Sequence, residues 1–372
     1  MADDARTQLP PQASAGAGDV DVHAHEEMPR VRFTRRRLLA STIFVVSTVA
    51  FLYFVLPKLL GLQGTWNRIE RGNLWWLALG AVLELCSFVG YVALFRAVFV
   101  RGGSRIDWRE SYEITMSGLA ATRLFASAGA GGIALTAWAL RRSGLEARIV
   151  ACRMIAFMTL LYAVYMGTLV IVGLGLYVGL FPGRAPFAIT VLPAIFGAAV
   201  IVALLAVSLV PGDFERLVAR GTSGNRWLGR LERRLAAAPA AAASGVRTAI
   251  GLVRSGNPHL LGAIAWWGFD IAVLWACFHA FGAAPPKAVI VMAYFVGMVG
   301  NTLPLPGGIG GVDGGMIGAF AAFGVPFHIS VVSVLAYRLL AFWLPTLPGA
   351  VAYLQLRRTV HRWSTGRAPS YT

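Results

Sequence analysis

Charge is scarce in this sequence. Of its 372 residues only 13% are Asp, Glu, Lys or Arg, while 57% are hydrophobic. So little charge, with a positive mean hydropathy, excludes an ordinary soluble enzyme and implies a polytopic helical membrane protein. Acids are scarcer still, 17 against 33 basic residues, giving a net charge of +16. Such basicity is also the mark of a nucleic-acid binder. Here the arginines sit at the ends of apolar segments, the pattern of topology signals, so no nucleic-acid partner is expected. Cysteine is nearly absent: Cys86, Cys152 and Cys277 fall inside apolar segments without CxxC or Cys/His spacing. That supports neither a disulfide framework nor a zinc site. The hydrolase Gly-x-Ser-x-Gly, the metalloprotease His-Glu-x-x-His and the phosphate-binding Gly-x-x-x-x-Gly-Lys-Ser/Thr are also missing. His259, His279 and His328 are isolated, and no metal or cofactor is expected.

What the chain has is long apolar runs. After a tail (residues 1–29) rich in Ala, Gly, Pro, Asp and Glu, the cluster Arg30, Arg32, Arg35, Arg36, Arg37 precedes Leu38–Pro57. This run lacks a small-residue cleavage site and reads as a retained first helix. Leu74–Val100, Ile149–Val178, Phe187–Val210, His259–Phe281 and Ile329–Leu356 each exceed the ~20 residues that cross a ~30 Å hydrocarbon core.

Two further segments are interrupted. Tyr112–Leu140 breaks at Ser127-Ala-Gly-Ala-Gly-Gly132, and Ala288–Phe323 breaks at Asn301-Thr-Leu-Pro-Leu-Pro-Gly-Gly-Ile-Gly-Gly-Val-Asp313. Lipid offers no partner to free backbone groups, so broken backbone survives there only against protein or a water-filled cavity. In transporters such breaks hold substrate. The limbs of the second segment are roughly 12–14 residues, about 18–21 Å as helix and too short to span singly. Those of the first are expected to be shorter still.

Loop charges decide how these segments run. If 112–140 dips in and returns, the loops 30–37, 101–109, 141–148, 212–257 and 357–367 share one side with 23 Arg/Lys, against 5 on the other. The positive-inside rule then places both termini in the cytoplasm. The expected fold is an all-α polytopic membrane protein with about six spanning helices plus two re-entrant helical hairpins, eight hydrophobic segments in all. Eight full crossings are the alternative. The domain division is a tail (1–29), a transmembrane domain (30–356) and a basic tail (357–372). Within the second, 212–257 forms a basic cytoplasmic loop. There Trp227, Leu228, Leu231 and Leu235 line one face of an interfacial helix, or the loop is merely solvated.

An internal repeat is visible. Gly-Gly-Ile at 131–133, Gly144-Leu and Arg153 parallel Gly-Gly-Ile at 307–309, Gly324-Val and Arg338, with arginine offsets five residues apart. Oppositely inserted copies would form an inverted repeat, a common transporter architecture. Glu84 and Asp270 lie mid-segment, and Arg123, Arg153 and Arg338 lie at or near membrane depth. A charge at the bilayer centre costs at least ~2.5–3.5 kcal/mol, so these groups pair or line a cavity. The plain alternative is a static ion pair that orients helices. For Arg338 and Asp313, beside the broken segment, the functional reading is stronger: arginine's planar fork suits a lipid phosphate. Asn301, Gly307, Gly308 and Gly310 would shape the site, with backbone N–H groups after Gly308 as anion donors. Asp313 is equally placed to cap the following helix.

The series Leu303-Pro-Leu-Pro-Gly-Gly-Ile-Gly-Gly-Val-Asp313, Gly324-Val-Pro, Tyr337-Arg338, Phe342-Trp-Leu-Pro345 and Gly349 resembles the transmembrane domain of bacterial lysylphosphatidylglycerol synthases and related flippase-like membrane proteins. The family usually carries glutamate where this chain has Asp313, a shorter acid with a different reach. The resemblance implies a lipid-handling domain, which in full-length synthases moves aminoacylated phosphatidylglycerol across the inner membrane. Those synthases add a cytoplasmic aminoacyl-transferring domain, for which the roughly 16 residues after Leu356 leave no room, so no enzymatic activity is expected. Stand-alone relatives are associated with glycolipid, polyprenyl-linked sugar or hopanoid pathways. The expected partners are therefore membrane lipids, with an anionic phospholipid or envelope glycolipid as cargo. The alternative is a non-transporting scaffold for envelope-lipid biosynthesis enzymes.

Overall fold

The computed structural model describes residues 72–100, 106–124, 130–209, 228–302, 308 and 310–364. The tail 1–29, the run Leu38–Pro57, Ser127–Gly129 and Gly307 thus lie outside the described residues.

Among the described residues every regular element is a helix. In chain order they are α1 (Leu74–Phe99), α2 (Trp108–Leu124), α3 (Ala130–Arg142), α4 (Ala147–Tyr177), α5 (Phe187–Ser208) and α6 (Leu228–Arg254). There follow α7 (Gly262–Phe281), α8 (Lys287–Met298), α9 (Gly311–Ala322), α10 (Phe327–Arg338) and α11 (Leu344–Ser364), the last two joined by a π-helical turn, Leu339–Trp343. Among the described residues five stretches are long and apolar enough to cross a membrane: Leu74–Phe99, Ala147–Tyr177, Phe187–Ser208, Pro258–Phe281 and Phe327–Trp363. The chain is an all-α polytopic membrane protein.

The interrupted segments fold as two helix pairs. The second pair, α8 and α9, has 12 residues in each arm, about 18 Å, as expected. The first is longer than expected, 17 residues in α2 and 13 in α3. Its extra turn starts in polar sequence: Asp107 Oδ1 accepts the N–H groups of Arg109 (3.1 Å) and Glu110 (3.3 Å), a cap that hydropathy does not register. Small residues let the arms of each pair touch. A Cβ on Gly315 would sit 3.1 Å from Gly297 Cα, and one on Gly118 would sit 2.8 Å from Thr136 Oγ1.

Two apolar cores flank the middle of the molecule. One packs α8, α9 and α10 against α4 and α7 through Leu169, Phe278, Phe295, Phe320 and Leu335. The other packs α2 and α3 against α1, α4 and α11 through Leu94, Phe99, Ile114, Leu140 and Leu356. Each hairpin therefore has its own core. α1 and α7 run side by side between them in the most extensive helix contact among the described residues.

Two helices reach further than expected. α6 continues to Arg254 and docks on α4 through the buried Ala243, Val246 and Ala249, so the second half of 212–257 is packed rather than loose. α11 runs past Leu356 to Ser364, with Thr359 and Val360 buried. There Glu113 of α2 accepts the Thr359 hydroxyl at 2.7 Å and pairs with Arg109 at 3.0 Å, which fastens the first hairpin to the last helix.

Candidate functional site

The last helix is distorted where the hairpins meet it. Pro345 has no N–H to give the Ala341 carbonyl, and the backbone widens into the π turn just before it. Arg123, next to last in α2, makes up the deficit. Its Nη2 donates to Ala341 O at 2.9 Å and its Nη1 to Phe342 O at 3.1 Å. From the other hairpin Asp313, third residue of α9, reaches the residue just before the same turn. Its Oδ1 lies 2.7 Å from Arg338 Nε, in a pair whose residues are only 3% and 7% exposed. The approach is an ion pair without hydrogen-bond alignment, for Oδ1 has no hydrogen-bond partner. Oδ2 meanwhile accepts the Gly310 N–H at 2.9 Å. Asp313 is thus helix cap and counter-ion at once. The ring of Phe342 lies between the two guanidiniums, 5.3 Å from that of Arg123 and 4.3 Å from that of Arg338.

Glu84 and Asp270 complete the cluster from α1 and α7. Both are buried, and their carboxyl groups are within hydrogen-bonding reach of one another and electrostatic reach of Arg123. Asp270 Oδ2 accepts the hydroxyls of Tyr337 (2.9 Å) and Tyr294, which tie α10 and α8 to α7. Five helices therefore send Glu84, Arg123, Asp270, Asp313 and Arg338 to one buried region. Buried ionic groups at this depth are costly unless paired, and they mark pathways or fixed helix contacts.

A cavity of about 520 Å³ opens beside the cluster between α1, α2 and α11. Its walls are Leu85, Phe88, Val89, Trp108, Tyr112 and Leu347 among others, with Glu84 the one charged lining residue among the described residues. Its volume falls within the range of ligand sites, about 300–1,000 Å³.

Of the residues expected from sequence, Glu84, Asp270, Asp313 and Arg338 come together. Arg153 does not. Its Nη1 donates to Phe99 O at 2.8 Å, an end carbonyl of α1, fifteen residues or about 22 Å along the helix from Glu84. The repeat that matched Arg153 to Arg338 needed a five-residue gap, and the two arginines serve different ends. Asn301 is exposed near the tip of the second hairpin, donating to Met298 Sδ at 3.2 Å. Its Oδ1 lies where a Cβ on Gly308 would project, and Gly308 and Gly310 hold φ of +65° and +81°. Only glycine takes such a backbone freely, so these two shape the approach to Asp313.

Sequence reasoning placed Arg123 at membrane depth without assigning it to the site, and it missed Tyr294. Pro345 was the available signal for Arg123, because a proline inside an apolar helix frees a carbonyl that something must satisfy. Tyr294 carries no local signal, being one aromatic residue in an apolar helix.

A family model described as the lysylphosphatidylglycerol synthase TM region matches residues 38–349. The chain belongs to this family. Two UPF0104 membrane proteins of Methanothermobacter thermautotrophicus are similar to it. One is 32% identical over 91 residues (24% of this chain, 26% of the relative), the other 35% identical over 115 (29% and 34%). A UPF0104 membrane protein of Methanocaldococcus jannaschii is 30% identical over 95 residues (25% and 28%). The matched stretches thus span about a third or less of those relatives. Within the family region lie both hairpins, all five clustered charges and the π turn, a placement consistent with a lipid-related membrane role.

Proposed function

We propose that this family member handles lipids in a flippase-like manner. A headgroup enters the polar cluster between the two hairpins while its tail stays in the bilayer. The carrying observation is the convergence of five ionisable side chains from five helices, two of them hairpin arms, beside an apolar cavity. On this reading the cargo is an anionic phospholipid or a glycolipid or polyprenyl-linked envelope lipid. Arg338 engages the headgroup when Asp313 releases it, and the carboxylates of Glu84 and Asp270 counter the charges or carry a coupling proton. The membrane is the bacterial cytoplasmic membrane with both termini inside, as the loop arginines support. Aminoacyl transfer forms no part of this reading.

One observation favours a second reading. Arg338 is already held by Asp313 and by the face of Phe342, as in a static clamp. A non-transporting scaffold for envelope-lipid enzymes would use the cluster in that way. The test is headgroup accessibility of labelled lipid in liposomes containing the purified protein. Transport predicts protein-dependent movement that Arg338→Ala abolishes. Full movement by a folded Arg338→Ala protein overturns the site, and no movement by wild type, with co-purification of a biosynthetic partner, favours the scaffold.

A further inference from the structure

The cavity between α1, α2 and α11 is about as long as half a bilayer and open along one side. On α1 its wall runs from Ala81 through Leu85, Phe88 and Val89 to Val92, a spacing that keeps to one face of the helix. Eleven residues of helix rise about 16 Å, close to half of a ~30 Å hydrocarbon core. Along the open side Leu85, Val89, Leu344 and Leu347 line the space while exposed to the surrounding lipid, Leu347 by 69%. Hydrocarbon fills such a trough, because walls left bare lose their dispersion contacts.

One end of the trough is polar. Trp108 and Tyr112 of α2 line that end, and both are exposed. Arg96 stands one turn beyond Val92 on the same face of α1. Its guanidinium lies 4.4 Å from the centre of the Trp108 ring, and its Nη1 donates to Ser111 Oγ at 3.1 Å. That bond uses one of the five guanidinium donors, and both partners are neutral, so they position the group without cancelling its charge. The nearby acids are engaged elsewhere. Asp107 caps α2, Glu110 accepts the Asp107 N–H at 3.2 Å, and Glu113 pairs with Arg109 and accepts the Thr359 hydroxyl. An arginine stacked on a tryptophan is preset for a phosphate, and tryptophan favours the depth at which lipid headgroups lie.

We propose that this trough seats an anionic phospholipid of the leaflet at the Arg96 end, one acyl chain lying between α1 and α11 and the phosphate meeting Arg96 beside Trp108. The seat is separate from the Arg338 contact, and a lipid occupies it whether or not the lipid is then moved. It rests on the lipid-handling reading only for the onward path, in which cargo waits here before its headgroup reaches the buried cluster.

The experiment places a photoreactive benzoylphenylalanine at position 347 of the full chain, in vesicles of equal parts phosphatidylglycerol and phosphatidylcholine with the same chains. Intact mass after illumination counts the adducts of each lipid. The same residue at position 202, exposed on α5, reports the lipid that merely surrounds the protein. The ratio of phosphatidylglycerol to phosphatidylcholine adducts should be at least fivefold higher at 347 than at 202. Arg96→Gln should bring the two ratios together, while Arg96→Lys, which keeps the charge, should retain part of the difference. With Arg96 intact, 1 M sodium chloride, where the screening length is ~3 Å, should also at least halve the difference. Equal ratios at the two positions, or an undiminished difference in a folded Arg96→Gln protein, overturn the assignment. So does a cross-link from 347 to residues 38–57, which would show the chain's own apolar run filling the trough. Lipid movement in liposomes is measured apart: movement without the preference overturns this seat alone, and the preference without movement overturns transport alone.

Discussion

Arg123 offers the sharpest test of how the hairpin and the π-distorted helix depend on one another. Its two donors serve Ala341 O and Phe342 O, and the first of these lacks its ordinary partner only because residue 345 is proline. Replacing Pro345 with alanine restores an N–H four residues beyond Ala341, so the helix then competes with the guanidinium for the same oxygen. Arg123→Met alone removes both hydrogen bonds and leaves the Glu84–Asp270 pair without its nearest guanidinium. Bonds to charged groups are worth about 1.5–3 kcal/mol in water-soluble proteins, while interhelical bonds in membranes average about 0.6 and reach about 1.7 kcal/mol. We therefore expect Arg123→Met to destabilise by about 2–4 kcal/mol, most of it from the uncompensated carboxyl pair. That electrostatic part is common to both backgrounds and cancels in a double-mutant cycle. What remains is the Ala341 hydrogen bond, so Arg123→Met should cost about 1 kcal/mol less in the Pro345→Ala background than in wild type. The assay is reversible unfolding in mixed micelles, read by helical circular dichroism across the four proteins. Costs that add within about 0.5 kcal/mol would refute the account, since independent sites add to that precision.

Gly308→Ala places a Cβ against Asn301 Oδ1 at a φ of +65° and should destabilise by about 1–2 kcal/mol, whereas Gly314→Ala, with nothing within 4 Å, should be neutral or stabilising in the same micelle assay. Tyr294→Phe and Tyr337→Phe each remove a donor to the buried Asp270 and should cost about 1–3 kcal/mol apiece, with a sub-additive double mutant because both meet one oxygen. Asp313→Asn keeps an oxygen for the Gly310 N–H but releases Arg338. It should lower thermal stability less than Asp313→Ala, which loses a cap worth about 0.5–2 kcal/mol as well. Cysteine at Ser143, between α3 and α4, should react with an impermeant maleimide only after cells are opened. Labelling of intact cells would overturn the re-entrant first hairpin.

The broken segments were legible because lipid makes backbone satisfaction compulsory. A cluster of prolines and glycines inside an apolar run, unlike the lone Pro193 carried within α5, marks a supported break, and limb length then limits how far each arm reaches. Asp313 was legible in both its roles for a related reason: an acid three residues into a helix caps it, and an acid at membrane depth seeks a cation. The partner itself was not legible. Arg153 and Arg338 occupy similar places in the two halves, and only the packing of α4 against the end of α1 shows that Arg153 caps Phe99. Nor does an apolar helix announce which face meets its neighbours. In α1 residues are hydrophobic all round, so periodicity does not show that Glu84 turns toward Asp270 on one side and the cavity on the other.

The same limit explains the position of Arg123. In the chain it follows a helix of nearly neutral composition and precedes a break, and it reads as a cation near membrane depth. In the fold it stands between a carbonyl that Pro345 leaves short of a donor and two carboxyl groups that need a positive charge. These demands come from residues roughly 150 to 220 positions later and 40 earlier in the chain, brought to one point by α1, α7 and the π turn. A guanidinium suits both because its planar donors can serve the backbone while its charge acts on the acids. Lysine would keep the charge and lose the fork. If the cluster is only a structural clamp, Arg123→Lys should therefore be judged by stability alone. If the hairpin tip moves with a headgroup, Arg123→Lys should change lipid movement in liposomes more than it changes stability, because the exchange of carbonyl partners during movement depends on the fork.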